Sequence, residues 1–362
     1  MSADGGIIGK WPRMQGLILA DVPIYLVAGI LLASCLAVFA AYDIGVSPVL
    51  IATNARLYAV AASAMLVVDM IWLLWRHRPE APTAFLIETY RRRAADPAFL
   101  ARLPLFAIAI VFMPFFSKMK SMIPLFNAFE WDATFIAWDR SLLFGHDAWE
   151  VLQPVLGYPA VTAAMAGLYH AWMLLIYMGT LFFVFYPAAS QVVRQYFLGF
   201  VLIWTLIGGV LATALASVGP CFMGPILGDS TFDAQMAYLN AANEQFPVLT
   251  LNVQDLLLQW YQEGNRGLGS GITAMPSMHV AMAFLFWLGV RRVSRAAGRI
   301  FFAFFFAIWA SSVHLAYHYA VDGLVSVIAT ALIWEASGAI LRAWDRALDR
   351  RQGPPRKTAA IA

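Results

Sequence analysis

Two stretches near the C-terminal end place the residue types of phosphoryl chemistry at useful spacings. The first runs Gly269-Ser270-Gly271-Ile272-Thr273-Ala274-Met275-Pro276-Ser277-Met278-His279; the second runs His314-Leu315-Ala316-Tyr317-His318-Tyr319-Ala320-Val321-Asp322. On a helix, His318 and Asp322 are neighbours one turn apart. A carboxylate that accepts a hydrogen bond from one imidazole nitrogen fixes the tautomer and leaves the other nitrogen as a directed nucleophile. His279 then has the chemistry to protonate a leaving oxygen as general acid. Pro276 biases Met275 toward an extended conformation and itself suits the first turn of a helix. The free N–H groups and dipole of such a helix end attract an anion. Ser277 adds a hydroxyl donor there, and Gly269 and Gly271 let backbone approach a ligand closely. These groups suit phosphoryl transfer through a phosphohistidine, with no metal or other cofactor required.

Each residue also has a plainer reading. His279 and His318 could be interfacial anchors, though their coincidence with Asp322 favours chemistry. His314 precedes His318 by one turn, so His314, His318 and Asp322 have the spacing of a metal face; packing or hydrogen bonding near the site is the simpler role. His170 either lines a headgroup pocket or is a buried, hydrogen-bonded histidine. Asp69, inside an apolar run, suggests a structural polar contact. In a transporter or scramblase, polar groups would be spread through the bilayer depth, whereas here they cluster at one face.

The elements that must position these groups are membrane helices. Of 362 residues, 61% are hydrophobic and only 12% charged, and the mean hydropathy is +0.70; a soluble domain carries about a quarter charged residues. The net charge of +3 is small, and no basic stripe, nucleotide-binding glycine loop or haem motif indicates a nucleic-acid or cofactor partner. The two cysteines, Cys35 and Cys221, make no disulfide framework. The expected partners are the bilayer and phospholipid or lipid phosphate substrates.

Eight apolar runs are candidate bilayer spans, near 22–41, 57–75, 103–117, 160–186, 196–217, 276–290, 300–317 and 321–341, the third and sixth of them short or interrupted. Pro114 should kink the third rather than end it, because a neighbouring helix can satisfy the freed carbonyl. With the N-terminus inside, the outer segments receive only Arg56, Lys118, Lys120, Arg140 and Arg266, and the remaining Lys and Arg residues fall inside. That bias supports eight spans with both ends cytoplasmic and puts both histidines at the outer face. Leu32-Ala33-Ser34-Cys35 matches a lipoprotein-type cleavage pattern, but Asp21 interrupts the usual order of such leaders, and a retained first helix is expected. The compact loops suggest a bacterial inner membrane with a periplasmic site.

Residues 76–102, with Arg91-Arg92-Arg93, form a basic segment suited to anionic headgroups. Residues 126–155 mix Phe126, Phe129, Trp131, Phe135, Trp138 and Trp149 with Glu130, Asp132 and Asp139, which suits an amphipathic helix in the outer interface. Residues 218–275 form the largest external segment. Three units are expected: 1–160 with N-terminal spans, basic loop and interfacial helix; 161–343 as the catalytic helical core; and 344–362 as a disordered cytoplasmic tail.

Pro276-Ser277-x-His279 followed by His318-x3-Asp322 resembles the second and third signatures of the type 2 phosphatidic acid phosphatase (PAP2) superfamily, and most resembles its inositol phosphorylceramide synthase branch. The resemblance covers residues 269–322. It implies an all-α membrane fold with His318 as nucleophile, Asp322 as its orienter and His279 as acid, moving phosphate or a phosphorylated headgroup such as phosphoinositol between lipids. A lipid phosphate phosphatase is the alternative. Two family cations are missing in register. Ser311 is followed by Ser312 rather than arginine, and no Lys-x6-Arg-Pro motif occurs. These departures favour the transferase branch and leave Lys118, Lys120 and Arg266 as candidates to supply the charge.

Overall fold

Prolines open many of the helices, as their fixed φ and missing N–H allow at a first turn. Pro48–His77, Pro82–Ala94, Pro97–Ala101 and Pro159–Phe185 all begin this way. The computed structural model describes residues 7–45, 47–185, 190–264 and 269–352, which are mostly helical with no strand among them. The helices used below are α1 (Val22–Ala41), α2 (Pro48–His77), α3 (Leu103–Lys120), α4 (Asp132–Leu142), α5 (Ala148–Leu156), α6 (Pro159–Phe185), α7 (Ser190–Leu202), α8 (Asp233–Gln245), α9 (Leu249–Gln262), α10 (Met278–Val293), α11 (Arg295–His314) and α12 (Ala320–Gln352). A π-helical segment, Ile203–Leu211, continues α7.

Among the described residues, seven helices are long and apolar enough to cross a bilayer. The expected sixth span, α10, is not one of them. Its 16 residues reach about 24 Å, short of the ~30 Å hydrocarbon core. It is nonetheless the hub of the bundle. Every residue from Val280 to Phe286 is buried, and α6, α7, α11 and α12 pack around it. A helix wrapped by protein need not match the bilayer thickness. At the other extreme, α1 and α2 bury only 17% of their apolar windows, so they form the lipid-facing edge.

Pro114 lies inside α3 without ending it. Its missing N–H leaves the Ile110 carbonyl free, and Asn54 of α2, fully buried, donates Nδ2 to that oxygen at 2.7 Å. The Tyr177 hydroxyl in turn donates to Asn54 Oδ1 at 3.0 Å. Asp69 makes the structural contact its setting suggested. It accepts from the Tyr90 hydroxyl at 2.7 Å and pairs with Arg93, which ties the basic segment to α2. Arg91 and Arg92 pair with Glu88 instead and stay exposed.

At the end of the bundle away from the histidines, Arg194 bridges Asp345 (2.9 Å) and Asp21 (3.2 Å), so α7 holds α12 and the start of α1. Helix α12 runs on through Gln352, past residue 343 and into the stretch expected as disordered tail. The amphipathic stretch 126–155, expected as one helix, is instead two short ones, α4 and α5, broken at Phe144 and Gly145, whose φ values are +56° and +94°. On α4, Asp132, Phe135, Ile136 and Asp139 are buried, whereas Trp138 and Leu142 are exposed.

Candidate active site

Three loops meet at the end of the bundle where α10 and α12 start and α11 ends. Ser217 ties the first loop to the second: its carbonyl accepts from Ala274 N at 2.9 Å and its Oγ from Met275 N at 3.1 Å. The third loop joins through Cys221 N, which donates to the Ala316 carbonyl at 2.8 Å. Gly219 is required at this junction. Its φ is +86°, and a Cβ there would stand 2.6 Å from the Tyr317 carbonyl oxygen.

His318 sits in the third loop, just before α12 rather than on a helix, and is 6% exposed. Its Nδ1 is 3.0 Å from Oδ2 of the fully buried Asp322. The same oxygen accepts from Tyr319 N at 3.2 Å, which fixes the carboxylate before it fixes the ring. Burial pushes the His318 imidazole well down, to about 3; the nearby Lys120 ammonium adds to this, and a hydrogen bond with the Ala274 backbone opposes it. The ring is therefore held neutral, as a nitrogen nucleophile must be.

His279 is the second residue of α10. Its ring centroid is 6.3 Å from that of His318, with the planes at 60°, so one phosphoryl group can contact both. The His279 ring stacks on Tyr169 (4.0 Å between centroids) and on Trp172 (3.9 Å). Tyr169 continues the stack to Tyr317 at 5.3 Å. Tyr169 and Trp172, both inside the apolar span α6, thus hold the candidate acid.

The candidate substrate-binding residues divide. Lys120 comes close enough to both His279 and His318 to act on them electrostatically. Gly271 explains how: its φ is +98°, and a Cβ on it would stand 2.9 Å from the Lys120 carbonyl carbon, so the loop lies directly on that backbone. His170, beside Tyr169, also acts on His279, and its Nδ1 is 2.8 Å from the Ala166 carbonyl oxygen. Lys118 points elsewhere, to the Gly45 carbonyl and over the Phe39 ring. Arg266 lies outside the described residues. Ser277 is fully buried, and its Oγ accepts from Val280 N as the N-cap of α10. The capping residue is thus Ser277, and Pro276 precedes the helix instead of occupying its first turn. His314 does not join His318 and Asp322 in one face; its Nε2 is 2.9 Å from Thr162 Oγ1 on α6.

Two residues that spacing alone did not single out hold the site from α4. Asp139 accepts from Ala320 N (2.7 Å) and Val321 N (2.8 Å), so a carboxylate from α4 caps the start of α12. Asp132 accepts from Val218 N (3.0 Å) and Gly219 N (2.9 Å) and from the Tyr319 hydroxyl (2.7 Å). Their seven-residue separation, with Phe135 and Ile136 between, is the stripe of one helix face. The signal was readable as periodicity, but an acid in an aromatic-rich amphipathic segment reads first as solvated.

Comparison with curated proteins and with solved structures found no match. A model of the PAP2 superfamily does match, over residues 133–336. That span covers more than half of the chain and includes His279, His318, Asp322, Tyr169, Trp172 and Asp139. This chain belongs to the PAP2 superfamily.

Proposed function

We propose that this protein is a lipid phosphotransferase of the inositol phosphorylceramide synthase-like branch, working through a phosphohistidine on His318. The observation that carries the reading is the buried His318–Asp322 pair at 3.0 Å, with a second imidazole centred 6.3 Å away. His318 Nε2 attacks phosphorus as its Nδ1–H donates to Asp322. The P–N bond forms, the bond from phosphorus to the lipid oxygen breaks, and His279 gives that oxygen its proton. An acceptor hydroxyl then loses its proton to His279 and attacks phosphorus, and the P–N bond breaks. The phosphate's negative charge and the faces of Tyr169 and Trp172 favour the imidazolium that the first step needs. Lys120 supplies positive charge where the family's arginines are absent. Charge bias in the loops supports a site at the outer face, which is periplasmic in a bacterial inner membrane.

Hydrolysis differs only in using water as acceptor, so a phosphatase is the second reading; the missing Ser-Arg and Lys-x6-Arg-Pro cations disfavour it. The test is release or transfer of phosphate or headgroup from radiolabelled lipids by purified protein, with chelator present. Turnover lost in both His318→Ala and His279→Ala supports the assignment. Full activity in either variant overturns it.

A further inference from the structure

Helices α8 and α9 grip the stretch of chain that carries the nucleophile. Gln235 of α8 donates Nε2 to the Val313 carbonyl at 2.8 Å and to the His314 carbonyl at 3.2 Å. Gln254 of α9 donates Nε2 to the Leu315 carbonyl at 2.8 Å. The Tyr317 hydroxyl donates to the Thr250 carbonyl of α9 at 3.2 Å. Tyr238 of α8 shares the Thr162 hydroxyl (2.7 Å) with His314 Nε2 (2.9 Å). Val313, His314, Leu315 and Tyr317 are thus each tied to α8 or α9, with Ala316 held between them.

Carbonyls in the last turn of a helix lack an intrahelical donor, and here two glutamines supply donors to the end of α11. They do so at a cost. Both are buried, at 1% and 4% exposure, and each leaves its Oε1 without a partner among the described residues. A buried amide oxygen left unpaired is unfavourable, so an apolar side chain would fill either place better if packing were its only role. Ala316 gives the reason. It stands two residues before His318 with φ at +62°, a left-handed conformation that a Cβ disfavours. If Ala316 relaxed, Tyr317 and His318 would leave the Ser312 carbonyl, which accepts both their amides at 3.1 Å. Gln235 also lines the narrow space that reaches His318. We infer that Gln235 and Gln254 are positioning residues, through which α8 and α9 hold Ala316 left-handed and so present His318 to phosphorus. The inference rests on the phosphotransferase reading for its effect on turnover, but not for its effect on the loop.

The experiment reads hydrogen exchange at the Tyr317 and His318 amides of full-length protein beside kcat and KM on the radiolabelled lipids. Gln254→Leu should lower kcat about tenfold with KM little changed, as for one buried acceptor left unpaired, and exchange at both amides should accelerate. Gln235→Leu should act in the same direction more mildly, because the Val313 carbonyl keeps the Ala316 amide at 3.0 Å; it carries the test if Gln254→Leu does not fold. Each change is then repeated in an Ala316→Gly background. Glycine enters the left-handed region without penalty, so an unbraced loop gains less by relaxing. There the same glutamine change should cost at most about threefold. Equal losses in the alanine and glycine backgrounds, a loss in KM rather than kcat, or unchanged exchange in both glutamine variants overturns the inference. A wild type that turns over no lipid contradicts the proposed function, and the exchange measurements in the two backgrounds then decide the brace by themselves.

Discussion

The Tyr319 hydroxyl donates to Asp132 Oδ1 across 2.7 Å, joining the residue next to the candidate nucleophile to the amphipathic helix α4. Asp132 also holds the two amides of the 218–219 turn. Tyr319→Phe removes one bond and should cost about 1 kcal/mol. Asp132→Ala strands two buried N–H groups and the hydroxyl, and should cost about 3 kcal/mol or more. Thermal unfolding in detergent should rank the variants in that order, with turnover falling in the same order.

Asp139 makes a different prediction because it caps α12 with both oxygens. In Asp139→Asn only one oxygen remains to accept, and the amide NH₂ meets a backbone N–H. Loss of a cap costs about 1–2 kcal/mol. Hydrogen exchange at Ala320 and Val321 should accelerate, and kcat should fall more than KM rises, because the nucleophile loop moves while the lipid-facing surfaces do not.

The pH dependence follows from the depressed His318 imidazole. Its folded-state value near 3 lies below the ordinary 6.5, so the unfolded chain binds the extra proton first as pH falls. The sign is then fixed: this group's contribution to stability is fully present above about pH 6.5 and is lost progressively as pH drops toward 3. Chemical denaturation between pH 7 and pH 5 should show stability declining in the wild type and a flatter profile in His318→Asn. Over the same range the nucleophile stays neutral, so an acid limb in kcat/KM must come from another group.

Gly271 tests how positive charge reaches the site. Gly271→Ala combines a strained φ with a Cβ placed 2.9 Å from the Lys120 backbone, so it should displace Lys120 and raise KM for an anionic lipid, with Lys120→Met doing the same. An unchanged KM in Lys120→Met would mean that the charge comes from elsewhere.

Much of this arrangement was legible in the residues. The His318–Asp322 pair and the rescue of the carbonyl below Pro114 follow from local spacing and an unsatisfied backbone group, and the charge bias of the loops put His279 and His318 at one face. What was not legible depended on contacts far apart in sequence. Tyr169 and Trp172 stand over His279 only because α6 packs on α10, and nothing in an apolar run distinguishes a lipid-facing tryptophan from one that stacks on an imidazole. Asp132 and Asp139 needed the docking of α4, and Lys118 and Lys120 were separated only by the register of α3. The length of α10 misled for a physical reason: hydropathy measures compatibility with lipid, and a helix enclosed by other helices can be shorter than the bilayer.

The most direct test is to quench turnover of a lipid radiolabelled at phosphorus and locate the label. The account predicts a base-stable, acid-labile phosphoramidate on His318, absent from His318→Ala and formed slowly in His279→Ala. Label on a serine or aspartate, or label retained in His318→Ala, would contradict it.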